Sequence, residues 1–130
     1  MLNIEKQITY WRNGAVEDLG AATDLVMQGH VRHGLFFAHL ALEKILKAHV
    51  CRFKNQIAPP IHNLLRLAEI ADLSLEQKQR DFLAEVNSFN IEGRYPGVQL
   101  PLPTQREAEE YLQKIKELHE CLSRMFEMQS

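Results

Sequence analysis

The chain has 130 residues, a length that suits one domain with one continuous core and is too short for two. Hydrophobic residues make up 45% and charged residues 25%, a balance typical of a globular protein and not of a disordered one. The formal net charge of -2 excludes an overall basic field. Any contact with nucleic acid must therefore come from a local patch, and general DNA binding is not expected.

The cysteines and the apolar stretches indicate a cytoplasmic protein. Cys51 and Cys121 are far apart and form no CxxC pair, which favours reduced thiols over a disulfide or a zinc site. The segment Met1 to Gly14 has no apolar block of a signal peptide. The longest apolar stretch, Leu35 to Leu42, contains His39 and is far short of the roughly 20 residues that cross a bilayer. We therefore expect neither export nor membrane insertion.

The first half of the chain predicts two long helices. Residues Ile4 to Gln28 repeat apolar side chains at intervals of three and four, which predicts an amphipathic helix that ends at Gly29 and His30. The next segment, Val31 to Lys54, is apolar around most of its circumference. Such a helix is expected at the centre of a bundle.

The second half predicts three more helices. Pro59 and Pro60 interrupt the chain before a short helix over residues 61–71. Ser74 with Gln77, three residues later, fits a capping box for a fourth helix that ends near residue 91. Residues 92–103 contain three prolines and two glycines and predict a long loop, and a further capping box at Thr104 and Glu107 opens the last helix. The pattern predicts an all-α fold: a single domain over residues 1–130 that forms a five-helix, up-and-down antiparallel bundle.

Several sequence phrases resemble the HEPN family, a domain found in prokaryotes and higher eukaryotes. The phrases that carry the resemblance are Tyr10-Trp11, Glu17-Asp18-Leu19, the run from Phe37 to Ala48, Pro60-Ile61-His62-Asn63-Leu64 and Arg94-Tyr95-Pro96-Gly97. They occur in the family's order over nearly the whole chain, although Leu40 stands where relatives often carry Gln. The resemblance implies a helical bundle that forms a homodimer. It also implies a minimal nucleotidyltransferase as partner, often in a toxin–antitoxin pair, and no cofactor.

Some HEPN relatives are RNases with an Arg followed, after four to six residues, by a His that acts as general acid or base. After Arg94 the next histidine is His119, which is too distant. Arg32 and His39 do fit the spacing, but chance supplies about one such match in this composition. This pair is the candidate catalytic pair of a metal-independent RNase, which is the alternative to a noncatalytic protein.

Two lysines of the central helix are candidate ligand-binding residues. Lys44 and Lys47 lie three residues apart, so both ammonium groups could meet one phosphate. The competing interpretation is an ordinary ion pair between Lys47 and Glu43, four residues before it. Lysines on a buried helix need polar company, which makes Asp18 and Arg94 candidate partners.

Three further residues complete the predicted ligand-binding set. His62 follows Pro60 at the start of the third helix, where it could face an anion, or instead cap the helix or be satisfied by packing. Arg94 can grip a phosphate and Tyr95 can stack on a base, or Tyr95 can pin the loop to the bundle. His30 and His33 have a spacing that can chelate a metal, but no Cys or acidic residue stands close behind them, so no metal site is expected.

Three functional hypotheses follow from these residues. The first is a nucleotide- or RNA-binding module that acts with a nucleotidyltransferase partner and uses Lys44, Lys47, His62, Arg94 and Tyr95. The second is a toxin RNase that acts through Arg32 and His39. The third is a purely structural bundle that docks another protein.

Overall fold

Five α-helices form the part of the chain that the computed structural model describes, residues 3–90 and 101–127. They are α1 (Ile4–Met27), α2 (Val31–Lys54), α3 (Leu64–Ile70), α4 (Gln77–Val86) and α5 (Gln105–Glu127), and a 3-10 turn over Asn87–Phe89 follows α4. No strand occurs among these residues. The predicted all-α, five-helix fold is confirmed.

The four longer helices alternate in direction, which makes the fold an up-and-down bundle. Gly29, with φ of 85°, allows the tight turn between α1 and α2. Gly34 lets these two antiparallel helices approach closely, because a Cβ there would lie 2.5 Å from Val26 Cγ2. The Tyr111 hydroxyl of α5 donates to Glu85 of α4 at 2.6 Å, and these two helices also run antiparallel.

The second helix occupies the centre, as its apolar circumference predicts. It packs against α1, α3, α5 and the 3-10 turn, and most of its middle residues are buried. Its C-terminal half lies along the end of α5, where His49 Nε2–H donates to the Leu122 carbonyl at 2.8 Å and stacks on Phe126. Every charged residue in the middle of α2 is therefore placed inside the bundle or at its edge.

Two predicted helix starts are wrong. The third helix begins at Leu64 and not at residue 61, because the Asn63 side chain accepts the Arg66 N–H at 3.1 Å and caps the helix there. The fourth begins after Glu76, whose N–H donates to Gln79 Oε1 at 2.9 Å, and not at Ser74. At the start of α5 the predicted capping box is confirmed, since the Glu107 N–H donates to Thr104 Oγ1 at 3.1 Å.

Candidate functional site

Three polar residues form a row along the buried face of α2. His39, Glu43 and Lys47 follow one another at four-residue intervals, so their side chains lie on the same side of the helix. Their exposed fractions are 0%, 4% and 5%. Polar groups so deep in a bundle must find partners within the protein, because an unpaired buried charge is strongly destabilising.

Glu43 is the centre of this row and has two polar partners. Lys47 Nζ lies 3.0 Å from Glu43 Oε2. The ring of His62, from the loop before α3, places Nδ1 3.1 Å from Oε1 and 3.2 Å from Oε2 of the same carboxylate. Because an ionised carboxylate only accepts hydrogen bonds, His62 Nδ1 is the donor. The buried charge of Glu43 is thus compensated by one ammonium group and one imidazole.

His62 is the member of the site that reaches solvent. Its side chain is 53% exposed, whereas that of Glu43 is 6% exposed. With Nδ1 engaged by Glu43, Nε2 is the ring nitrogen that has no partner among residues 3–90 and 101–127. We refer to Glu43, Lys47 and His62 as the Glu43 cluster. The cluster exposes one oriented imidazole, that of His62, which is held by the buried Glu43–Lys47 ion pair.

The loop that carries His62 is held from a second side. Asn87, in the turn after α4, accepts the Leu64 N–H at 2.8 Å and donates to Asn63 Oδ1 at 3.1 Å. Asn63 in turn caps α3. The cap of α3 is therefore Asn63 and its neighbour Asn87, and the predicted capping role of His62 is wrong. The imidazole is thus held by Glu43 of α2, and the loop residues that follow it are held by Asn87 at the end of α4.

His39 lies beneath the cluster and is fully enclosed. Its Nδ1 is 3.9 Å from Glu43 Oε1, too far for a hydrogen bond, and within the described residues neither ring nitrogen has a hydrogen-bond partner. Burial lowers the pKa of His39 below the ordinary 6.5, and the nearby Glu43 carboxylate only partly opposes this effect. At neutral pH, His39 is therefore an uncharged imidazole.

The two predicted phosphate-binding lysines have different partners. Lys44 Nζ lies 2.8 Å from Asp18 Oδ2 of α1, while Lys47 pairs with Glu43 and lies over the ring of Trp11, 5.2 Å from its centroid. The Glu43–Lys47 ion pair and the Asp18 contact that the sequence predicted are thus present. Lys44 is 27% exposed, so of the two lysines it is the one that a ligand can reach.

The remaining predicted site residues are dispersed or lie outside the described residues. Arg32 is exposed in the first turn of α2, while His39 has no exposed surface. Arg94 and Tyr95 lie outside the described residues, so their contacts with the cluster stay predictions.

The described segments show no metal-binding cluster and no membrane span. His30 and His33 are both exposed, and residues 3–90 and 101–127 contain no group of three or more His, Cys, Asp or Glu side chains arranged for a metal. Cys51 and Cys121 are free thiols. No helix of the described segments has the length and apolarity needed to cross a bilayer.

The chain belongs to the HEPN family. The sequence model of the HEPN domain matches residues 8–125, nearly the whole chain, and the helical bundle agrees with it. The resemblance seen in the sequence phrases is thereby confirmed.

Two solved structures share this fold. The crystal structure of TT1696 from Thermus thermophilus superposes with a TM-score of 0.74 at 22% identity, covering 91% of this chain and 97% of that one. The crystal structure of ST0689, an archaeal HEPN homologue, gives a TM-score of 0.68 at 19% identity and covers 96% and 98%. No curated protein matches the chain. At these identities the likeness shows the fold alone.

Proposed function

We propose that this HEPN protein is a binding module for a phosphate-bearing ligand, a nucleotide or an RNA, which it holds beside His62. The observation that carries the proposal is the half-exposed imidazole fixed through Nδ1 on the buried carboxylate of Glu43. A side chain that is already oriented loses little conformational entropy when it binds. In its protonated form, its Nε2–H can donate a charge-assisted hydrogen bond to a phosphate oxygen.

Other predicted residues extend this site. The partly exposed ammonium group of Lys44, now shared with Asp18, adds positive charge that a phosphate can recruit. Arg94 and Tyr95 complete the proposal as a bidentate phosphate grip and a stacking platform. Lys47 supports the site indirectly, because its buried ammonium group lies 3.0 Å from the Glu43 carboxylate that holds His62.

Isothermal titration with ATP, and separately with a short RNA, tests this proposal and distinguishes the two ligands. We expect binding that His62→Ala and Arg94→Ala weaken at least tenfold, which corresponds to about 1.4 kcal/mol. Lys78→Ala is the matched control, because Lys78 is an exposed lysine on α4 and should leave affinity unchanged. Absence of heat at millimolar ligand, or binding that is indifferent to His62→Ala, would refute the proposed site.

The proposal also assigns a protein partner. We propose that the domain acts as a homodimer with a minimal nucleotidyltransferase, as one half of a toxin–antitoxin pair. Coexpression with a nucleotidyltransferase encoded beside it should give a complex that copurifies, and light scattering of the isolated chain should give twice the monomer mass. Copurification in the absence of any measurable nucleotide or RNA binding would instead favour the purely structural function.

A second candidate is a metal-independent RNase, and the Glu43–His62 pair is the observation that favours it. A carboxylate that orients an imidazole toward solvent is the arrangement of a general base. His39, in contrast, is enclosed and cannot touch RNA without local opening. If RNA is cut, His62→Ala should abolish cleavage, and an intact substrate with the wild-type protein would reject this candidate.

A further inference from the structure

We propose that ligand binding at His62 is coupled to the uptake of one proton by its imidazole ring. The inference rests on the proposed phosphate site and specifies how that site is regulated: the phosphate and the proton bind together. Because thermodynamic coupling is reciprocal, a ligand that prefers the imidazolium form also promotes protonation of the ring. The site then binds more tightly as the pH falls through the range in which the ring gains its charge.

The charges around His62 explain why a bound phosphate would stabilise the protonated ring. Glu43 is already neutralised by Lys47 at 3.0 Å, so an imidazolium at His62 adds a positive charge to a balanced pair. Its Nδ1–H remains on the carboxylate, while its Nε2–H requires an acceptor outside the cluster. A phosphate oxygen beside the exposed ring provides both the acceptor and the missing negative charge.

The neighbouring titratable groups do not compete for this proton. On α2, burial keeps His39 uncharged, and Lys47 is held on Glu43. Asn87, which approaches from the turn after α4, does not titrate. Lys44 of α2 and Asp18 of α1 already form an ion pair.

The charged side chains of α3 pair with each other. Arg66 and Glu69 are exposed and lie 3.6 Å apart. Among the described residues that surround the cluster, His62 is therefore the half-exposed ring to which we assign the proton.

The proton can be counted by calorimetry with a ligand that does not itself titrate. A terminal phosphate has a pKa near 6 and could take up the proton, whereas the diesters of a short RNA with hydroxyl ends cannot. We would titrate this RNA in buffers of different ionisation enthalpy at one pH. The observed enthalpy should then vary linearly with the buffer enthalpy, with a slope of up to one proton taken up per site.

The pH dependence supplies a second measure. With one linked proton, affinity should fall as the pH rises, by at most about tenfold per pH unit. His62→Gln should abolish both the buffer dependence and the pH dependence. His33→Gln is the matched control, because His33 is an exposed histidine ten residues before Glu43 on α2, about 15 Å away along the helix, and should leave both unchanged.

The outcomes separate this inference from the site itself. Binding whose enthalpy is the same in every buffer would refute proton coupling and leave the phosphate site intact. Absence of binding by both RNA and ATP would refute both. If ATP binds and RNA does not, the buffer series is repeated with ATP at pH 8, where the terminal phosphate of ATP is ionised. The slope of the observed enthalpy against the buffer enthalpy then shows whether a proton is taken up. NMR of the wild-type histidine rings gives a check that needs no variant: RNA should keep the His62 ring protonated to a higher pH.

Discussion

The buried ion pair of the Glu43 cluster should control the stability of the whole domain, and Lys47→Met tests this directly. Methionine keeps most of the apolar stem of lysine and removes the ammonium group, which lies on Glu43 and over the ring of Trp11. Among the described residues, the carboxylate of Glu43 would then keep His62 as its hydrogen-bond partner. The variant therefore isolates the effect of the missing charge.

The geometry gives the expected size of the effect. At 3.0 Å and an effective dielectric constant of about 20, the attraction between the two charges is about 5.5 kcal/mol. Removing one member of a buried pair usually costs about 3–5 kcal/mol, since the other charge stays desolvated. We expect the lower end of that range, because the His62 ring still donates a hydrogen bond to the Glu43 carboxylate. The double variant Glu43→Leu/Lys47→Met, which removes both charges, should lie within about 1–2 kcal/mol of the wild type.

Urea unfolding followed by circular dichroism at 222 nm measures these differences. An exposed pair with the same i,i+4 spacing, Arg124 and Glu120, is the control: its atoms are only 2.6 Å apart, but the side chains are 68% and 62% exposed. Arg124→Met should therefore cost less than about 1 kcal/mol. If Lys47→Met costs no more than Arg124→Met, or if the double variant is less stable than the single, burial does not govern this pair and the reasoning fails.

Four further variants test buried and capping contacts of the bundle. Burial lowers the pKa of His49 to about 4, so below pH 6.5 the unfolded chain binds a proton that the folded chain does not. The free energy of unfolding of the wild type should therefore fall by up to about 3 kcal/mol as the pH drops from 6.5 to 4. The urea midpoint of His49→Gln should depend less on pH over that range. Gly34→Ala should cost about 1–3 kcal/mol of stability, because its Cβ would lie 2.5 Å from Val26 of α1. Gly20→Ala, whose Cβ would meet open space, should instead stabilise the fold by about 0.5–1 kcal/mol. Thermal melts compare the two variants, and equal effects would contradict the close approach at Gly34. Asn63→Ala should cost about 0.5–2 kcal/mol in urea unfolding through loss of the α3 cap, and no change would mean that Asn87 caps the helix alone.

Helix periodicity predicted the bundle well because it depends on local sequence. The second helix begins and ends at the predicted residues, Val31 and Lys54. The fourth does not, because Leu73 and Leu75 pack partly buried against the core before the helix starts. Ser74 with Gln77 fits the usual capping-box pattern and Glu76 with Gln79 does not, yet the helix begins after Glu76, where the Glu76 N–H donates to Gln79 Oε1.

The candidate site was predictable only where its contacts are local. The Glu43–Lys47 pair follows from a spacing of four residues on one helix. The contact between Glu43 and His62 spans 19 residues and depends on the path of the loop through Pro59 and Pro60, which no helical period encodes. The role of Asn87 also lay beyond the sequence pattern, since it joins the end of α4 to the start of α3.

The same contacts that stabilise the bundle also place His62, and this explains which substitutions can separate folding from binding. Glu43 and Lys47 lie at the centre of the bundle, so the loss of either one alone should weaken the fold and also disturb the support of the imidazole. His62 and Lys44 reach the surface, and replacing them should remove the proposed ligand contacts while the buried pair remains. Since Glu43 holds the ring and the Asn63–Asn87 hydrogen bond holds the adjoining loop, the imidazole is oriented before any ligand arrives. If His62→Gln weakens ligand binding without a matching loss of stability, the weaker binding therefore shows that the ligand binds at His62.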